Sequence, residues 1–142
     1  MNQPVDLIDA LEREPELALL VAQPPIAFHR SFVDITGSAM AALLLSSYLE
    51  QQESQPLTLD GWFEVDGADL QYRSGLADKE RQMAHKTLLS QSLVRDRRGK
   101  TGRRELKIDF DRISHAILAA ARQRSVRLQV PNDQVNPLTL AH

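Results

Sequence analysis

The stretch VRDRRGKTGRRELKIDF, residues 94–110, gathers Arg95, Arg97, Arg98, Lys100, Arg103 and Arg104 around two glycines. Planar guanidinium groups make paired, charge-assisted hydrogen bonds to phosphate oxygens, and a lysine adds a compact positive charge. A cluster of this kind recognises a polyanion; it does not make or break bonds. A second set precedes it in LADKERQMAHKTLLSQS, where Lys79, Arg81, Gln82, His85 and Lys86 alternate with Met83, Ala84, Thr87 and Leu88. The latter four recur at helical spacing and are expected to face inward, leaving the former on the outer side. There Gln82 has the geometry to read adenine and Arg81 guanine.

The charge is segregated along the chain. Residues 1–72 hold 2 Lys or Arg against 12 Asp or Glu, residues 73–107 hold 11 against 4, and residues 108–142 hold 4 against 3. The net charge of −2 hides this division. Such a pattern implies two faces with different partners, or one face made to attract a polyanion.

Other chemistries find little support. His29, His85, His115 and His142 have no metal-ligand spacing, and neither HExxH nor a paired-carboxylate motif occurs. GKTG at 99–102 contains a Gly-Lys-Thr string, but it lacks the upstream glycine of a phosphate loop and lies in a turn. No serine is paired with a base. The expectation is a protein that is not an enzyme and needs no cofactor or metal. With no cysteine, disulfides and thiolate metal sites are excluded.

The elements that must position the two basic sets follow from local patterns. VDLIDALEREPELALLVAQPP predicts two short helical pieces divided at Glu14–Pro15 and ended by Pro24–Pro25. IAFHRSFVDITG suits a strand or a helix, with Gly37 as its stop. SAMAALLLSSYLEQQE predicts a helix capped by Ser38 and apolar around most of its girth, hence central and buried. GWFEV at 61–65 predicts a short strand whose Trp62 and Phe63 enter the core. DGADLQYRSG predicts a helix between the cap Asp66 and the terminator Gly75. A second helix follows after a tight turn, with Asp78 as its expected cap. LVRDRR and RRELKIDF predict a β-hairpin about GKTG, with Leu106, Ile108 and Phe110 alternating along its second strand. DRISHAILAAARQR predicts a terminal helix capped by Asp111, with Ile113, Ile117, Ala120 and Ala121 on one side. In the remaining tail a strand is expected at Val126–Val130, with mobile chain around it.

Helix, strand, helix, turn, helix and hairpin, in that order, make a winged helix-turn-helix layout. The fold class expected is therefore mostly α with a small β-hairpin (α+β), extended by N- and C-terminal helices. The expected divisions are a helical arm over 1–24, a domain over 25–124 and a tail over 125–142. In this layout the second helix of the pair enters a major groove roughly 12 Å wide and the hairpin grips the adjacent backbone.

The stretch from Pro25 to Ile113, about 90 of the 142 residues, resembles the winged-helix domains of phage and plasmid replication proteins and related mobile-element regulators. Gly61–Trp62–Phe63 stands where such domains have a strand before the helix pair, and Gly75–Leu76 where their turn opens. Ser92 departs from the glycine usual at the helix end. Asp78 and Glu80, near the start of the second helix, would repel phosphates.

The resemblance and the charge together imply a protein that binds double-stranded DNA, a transcriptional regulator or replication accessory of a phage, plasmid or integrative element. The alternative is a protein-interaction module on the same scaffold, with the acidic N-terminal region contacting a protein partner. Asp78 and Glu80 favour the second reading and the basic residues of 73–107 the first. The apolar side chains of DLIDALEREPELALLVA either fold back on the domain or pack against a second copy, and a homodimer is expected. The N-terminal stretch does not read as a signal peptide and the longest apolar run, AMAALLL, is too short to span a bilayer, so the expected location is cytoplasmic.

Overall fold

The structure is a computed structural model that describes residues 7–16 and 26–135. It is a mostly helical α+β arrangement whose sheet has three antiparallel strands. Helix α1 (Leu7–Arg13) stops at Glu14 and helical backbone resumes at Pro15, as the Glu14–Pro15 boundary predicts. The rest of the second piece and Pro24–Pro25 lie outside the described residues.

The ambiguous stretch resolves as helix α2 (Arg30–Thr36), ended by Gly37 at φ +71°, a conformation that costs glycine nothing. The Ser38 hydroxyl accepts from the Ala41 N–H at 3.2 Å and starts helix α3 (Ala39–Glu53). Ala41, Ala42, Leu44 and Leu45 on α3 are fully buried. The helix packs against α2, α4 (Gly67–Ser74) and α5 (Asp78–Ser90). Its apolar surface has neighbours on several sides, which is why it is central.

Strands β1 (Trp62–Glu64), β2 (Val94–Arg98) and β3 (Arg104–Ile108) form the sheet in the order β1-β3-β2. The hairpin register sets Val94 opposite Ile108, Arg95 opposite Lys107, Asp96 opposite Leu106, Arg97 opposite Glu105 and Arg98 opposite Arg104. On the other edge Trp62 faces Lys107 and Phe63 faces Leu106. Successive side chains alternate between faces. Phe63, Val94, Leu106 and Ile108 therefore bury one face against the helices, joining Leu70, Leu76, Ala84, Leu88 and Leu93 in a single core.

The helix pair α4–α5 is held by a side chain that composition alone would place on the surface. Gln51 on α3 is 2% exposed. Its amide donates to the Asp66 carbonyl at 3.1 Å and to the Asp69 carboxylate at 2.9 Å, while its oxygen accepts from the Asp66 N–H at 3.3 Å. Asp66 in turn caps α4 by accepting from the N–H groups of Ala68 and Asp69. Gly75 at φ +68° ends α4, and the next helix begins three residues later.

Three local expectations are corrected. The N-cap of α5 is Ala77, not Asp78; the Glu80 carboxylate reaches back to accept from the Ala77 N–H at 3.0 Å, and Asp78 lies inside the first turn. Asp109, not Asp111, caps helix α6 (Phe110–Val135), accepting from the Arg112 N–H at 2.9 Å. Residues 126–130 are helical and not a strand, because α6 continues without a break past residue 124. VRLQV alternates, but Val126 and Val130 are also four apart. Extending an existing helix fixes one residue per new hydrogen bond, whereas a strand needs a partner. Ile113 is buried and Ile117 and Ala120 half-buried, while Ala121 is exposed. Residues 136–142 lie outside the described part of the tail.

Candidate nucleic-acid interface

Helix α5 presents a clean stripe. Lys79, Gln82, Met83 and Lys86, at spacings of three and four residues, are all exposed, and Ala84 and Leu88 are buried on the opposite side. Met83 is 56% exposed, so its expected inward placement is corrected; Thr87 is half-buried. The two carboxylates that would repel phosphates each have a local partner, although Asp78 stays exposed and lines a cleft with Gln82 and Arg104. Glu80 is occupied with the helix end and Asp78 pairs with Arg81. Among the described residues, no carboxylate lies within salt-bridge distance of Lys79 or Lys86.

Arg81 and His85 do not share that outward face. The Arg81 guanidinium has 14% of its side chain exposed, donates to the Leu76 carbonyl at 2.8 Å and is bound to Asp78. It braces the turn between the helices. His85 is 6% exposed. Its Nε2 lies 2.7 Å from the Asp96 carboxylate on β2 and its Nδ1 lies 2.8 Å from the Tyr48 hydroxyl on α3. A carboxylate only accepts, so Nε2 carries a proton, and in the neutral ring the phenol donates to Nδ1. Burial, the largest influence on Tyr48, pushes its hydroxyl pKa well above the ordinary value. Asp96 also holds Arg104 at 3.4 Å, so one polar chain links α3, α5 and both hairpin strands. Helical spacing alone could not reveal this, because a histidine one position from Ala84 satisfies the inner and outer patterns equally.

The hairpin register divides the basic residues. Arg98 and Arg104 face each other across the strands on the side toward α5, whereas Arg95, Arg97 and Lys107 occupy the opposite face, and Lys100 stands at the turn. The expected single basic surface is thus split between two faces. Arg104, Arg81, Gln82, Asp78, His85 and Tyr48 line one cleft of about 250 Å³ between the hairpin and α5. Like charges directly opposed across strands are unfavourable; for Arg104 the cost is offset by Asp96, and Arg98 has no carboxylate within salt-bridge distance among the described residues.

Three of the seven hairpin cations, Arg97, Arg103 and Arg104, contact carboxylates, and two of them reach carboxylates in the acidic first half of the chain. Arg103 contacts Glu64 at 3.4 Å, and Arg97 contacts Asp60 at 3.7 Å and Glu105 at 2.8 Å. These pairs are exposed and each contributes little. Arg97 also lies over the Trp62 ring, 4.1 Å from its centroid. Trp62 is half-buried on the outer sheet face, which corrects its expected core position; Phe63 is in the core. The Trp62 N–H above all, with Arg97 adding to it, holds the Asp60 carboxyl below its usual range.

Among the described residues, no group of His, Asp or Glu is arranged to hold a metal ion, and no helix is long and apolar enough to cross a membrane. Comparison of the chain with protein-family models, curated proteins and solved structures returns no match, so its functional reading rests on this geometry.

Proposed function

We propose that this protein binds double-stranded DNA as a winged helix-turn-helix, presenting α5 to the major groove and the inner side and tip of the hairpin to the adjacent backbone. The observation that carries the reading is the exposed stripe Lys79, Gln82, Met83 and Lys86, whose two lysines have no carboxylate within salt-bridge distance among the described residues and whose Gln82 shares a cleft with Arg104. Lys79, Lys86, Arg98 and Lys100 are the phosphate contacts, Arg104 joins them by exchanging Asp96 for phosphate, and Gln82 is the base reader. Arg81 and His85 support the helix rather than touch bases. The biological role proposed is that of a cytoplasmic transcriptional regulator or replication accessory of a mobile element, working as a homodimer and without a cofactor.

Mobility-shift titration of duplex DNA at two salt concentrations tests this reading. Lys79→Ala with Lys86→Ala should weaken binding to all sequences alike, whereas Gln82→Ala should alter sequence preference. Failure of the parent to bind any duplex at low salt would overturn it. A second reading, a protein-docking module, is favoured by one feature. Leu57 and Leu59 are 96% and 111% exposed on the loop before β1, beside Glu53, Asp60 and Glu64. Loss of a partner interaction in Leu57→Ser with Leu59→Ser, with duplex binding intact, would support it.

A further inference from the structure

We infer that the outer face of the sheet, turned away from α5, is a second binding surface, and that its ligand is a single-stranded nucleic acid. It uses none of the residues assigned to duplex binding, so the two readings stand or fall separately.

The inference starts from Arg97. Its guanidinium carbon lies 4.1 Å from the centroid of the Trp62 ring, its Nε donates to the Glu105 carboxylate at 2.8 Å, and its Nη2 is 3.7 Å from the Asp60 carboxylate. Two carboxylates already compete with any phosphate for this guanidinium. Placed over an indole between them, and still 45% exposed, it offers its open side as a stacking platform. Nucleobases stack on arginine planes and aromatic rings without regard to sequence, and unpaired bases are the ones free to do so.

The neighbouring residues supply the charge for the backbone of such a strand. Lys107 lies opposite Trp62 on one side and opposite Arg95 on the other, which makes a row across all three strands. Arg95 and Lys107 are a like-charged cross-strand pair, an arrangement that is unfavourable in the free protein. Among the described residues neither has a carboxylate within salt-bridge distance. Glu105 and Asp60 are committed to Arg97 and Glu64 to Arg103, so the carboxylates of this face do not neutralise the pair. Phosphates of a bound strand would. Arg95, Lys107 and the half-exposed Phe110 also line a groove of about 350 Å³ together with Asp109 and Asp111, neither of which is within salt-bridge distance of the pair.

Trp62 is the chain's only tryptophan, so its emission reports on this face alone. Titrating the full chain with an oligothymidylate should quench Trp62 saturably, and a parallel oligouridylate titration tells DNA from RNA. Arg95→Ala with Lys107→Ala should flatten the salt dependence by about 1.4 logarithmic units per decade, a roughly sevenfold smaller loss of affinity between 50 and 200 mM salt. Duplex binding should stay at the parental value, and the melting temperature should not fall, since the substitutions remove a like-charge pair. Lys79→Ala with Lys86→Ala should leave the quenching unchanged. Absence of quenching by either oligonucleotide would overturn the inference. So would equal quenching and competition by inorganic polyphosphate, which has charge but no bases, or a blue shift of Trp62 with protein concentration alone, which would mark the face as a contact between copies.

Discussion

The proposed duplex binding carries a salt dependence that follows cation by cation from the ion pairs. Lys79 and Lys86 on α5, Arg98 on the hairpin face toward it and Lys100 at the turn have no carboxylate within salt-bridge distance among the described residues, whereas Arg97 and Arg103 are paired and Arg104 is held by Asp96. Each phosphate neutralised contributes about −0.9 to the slope of log affinity against log salt, so these four cations give about −3.6 per chain, while Arg104, which only exchanges Asp96 for phosphate, is left out of the sum. Between 50 and 200 mM salt that is a loss of roughly 150-fold, milder than the roughly 10³–10⁵ expected if six to ten phosphates were contacted. Arg98→Ala with Lys100→Ala should reduce the slope by about 1.8 and leave a loss of roughly 12-fold. Arg97→Ala with Arg103→Ala should change it little. The assay is fluorescence anisotropy of a labelled duplex across a salt series. Both pairs are exposed, so folding should shift by no more than about 0.5 kcal/mol in either variant. If removing Arg97 and Arg103 flattens the slope as much as removing Arg98 and Lys100, their ion pairs do not withhold them from DNA and the division of the hairpin into two faces fails as an argument.

Three further outcomes concern the scaffold. Gln51→Leu should destabilise the fold by about 1–3 kcal/mol in urea unfolding, because the Asp66 carbonyl and N–H and the Asp69 carboxylate lose their shared partner. Ser92→Gly should raise stability by about 0.5–1 kcal/mol, since Ser92 sits at φ +60° at the end of α5, where a Cβ is penalised; an unchanged or lower midpoint would refute this. The raised Tyr48 pKa favours the protonated phenol in the folded state. Its contribution is therefore full below the unfolded value of about 10 and is lost as pH rises from there toward the folded value. Parent stability should fall above about pH 10 and Tyr48→Phe should remove that part of the fall, at the cost of the hydrogen bond between the phenol and His85 Nδ1.

Where a pattern is local, the residues alone determined the outcome. Ser38 and Asp66 as caps, Gly37 and Gly75 as stops, the buried α3 and the hairpin about Gly99 and Gly102 all follow from short-range rules of capping, left-handed backbone and side-chain period. The departure at Ser92 was also legible: the position where glycine is usual has φ +60°. Whether 26–36 was helix or strand was not, since its aromatic and β-branched residues fit both until α3 provided a surface to pack on.

What only the tertiary structure decided is which cations are available and on which side they stand. Strand register, not sequence distance, put Arg98 and Arg104 toward α5 and Arg95, Arg97 and Lys107 away from it. Contacts between residues 11 to 39 positions apart gave His85 to Tyr48 and Asp96, Gln51 to Asp66, and Arg103 to Glu64. A side chain's charge is a property of its type. The partner that satisfies it is a property of three-dimensional proximity, which a periodic pattern along one element cannot encode.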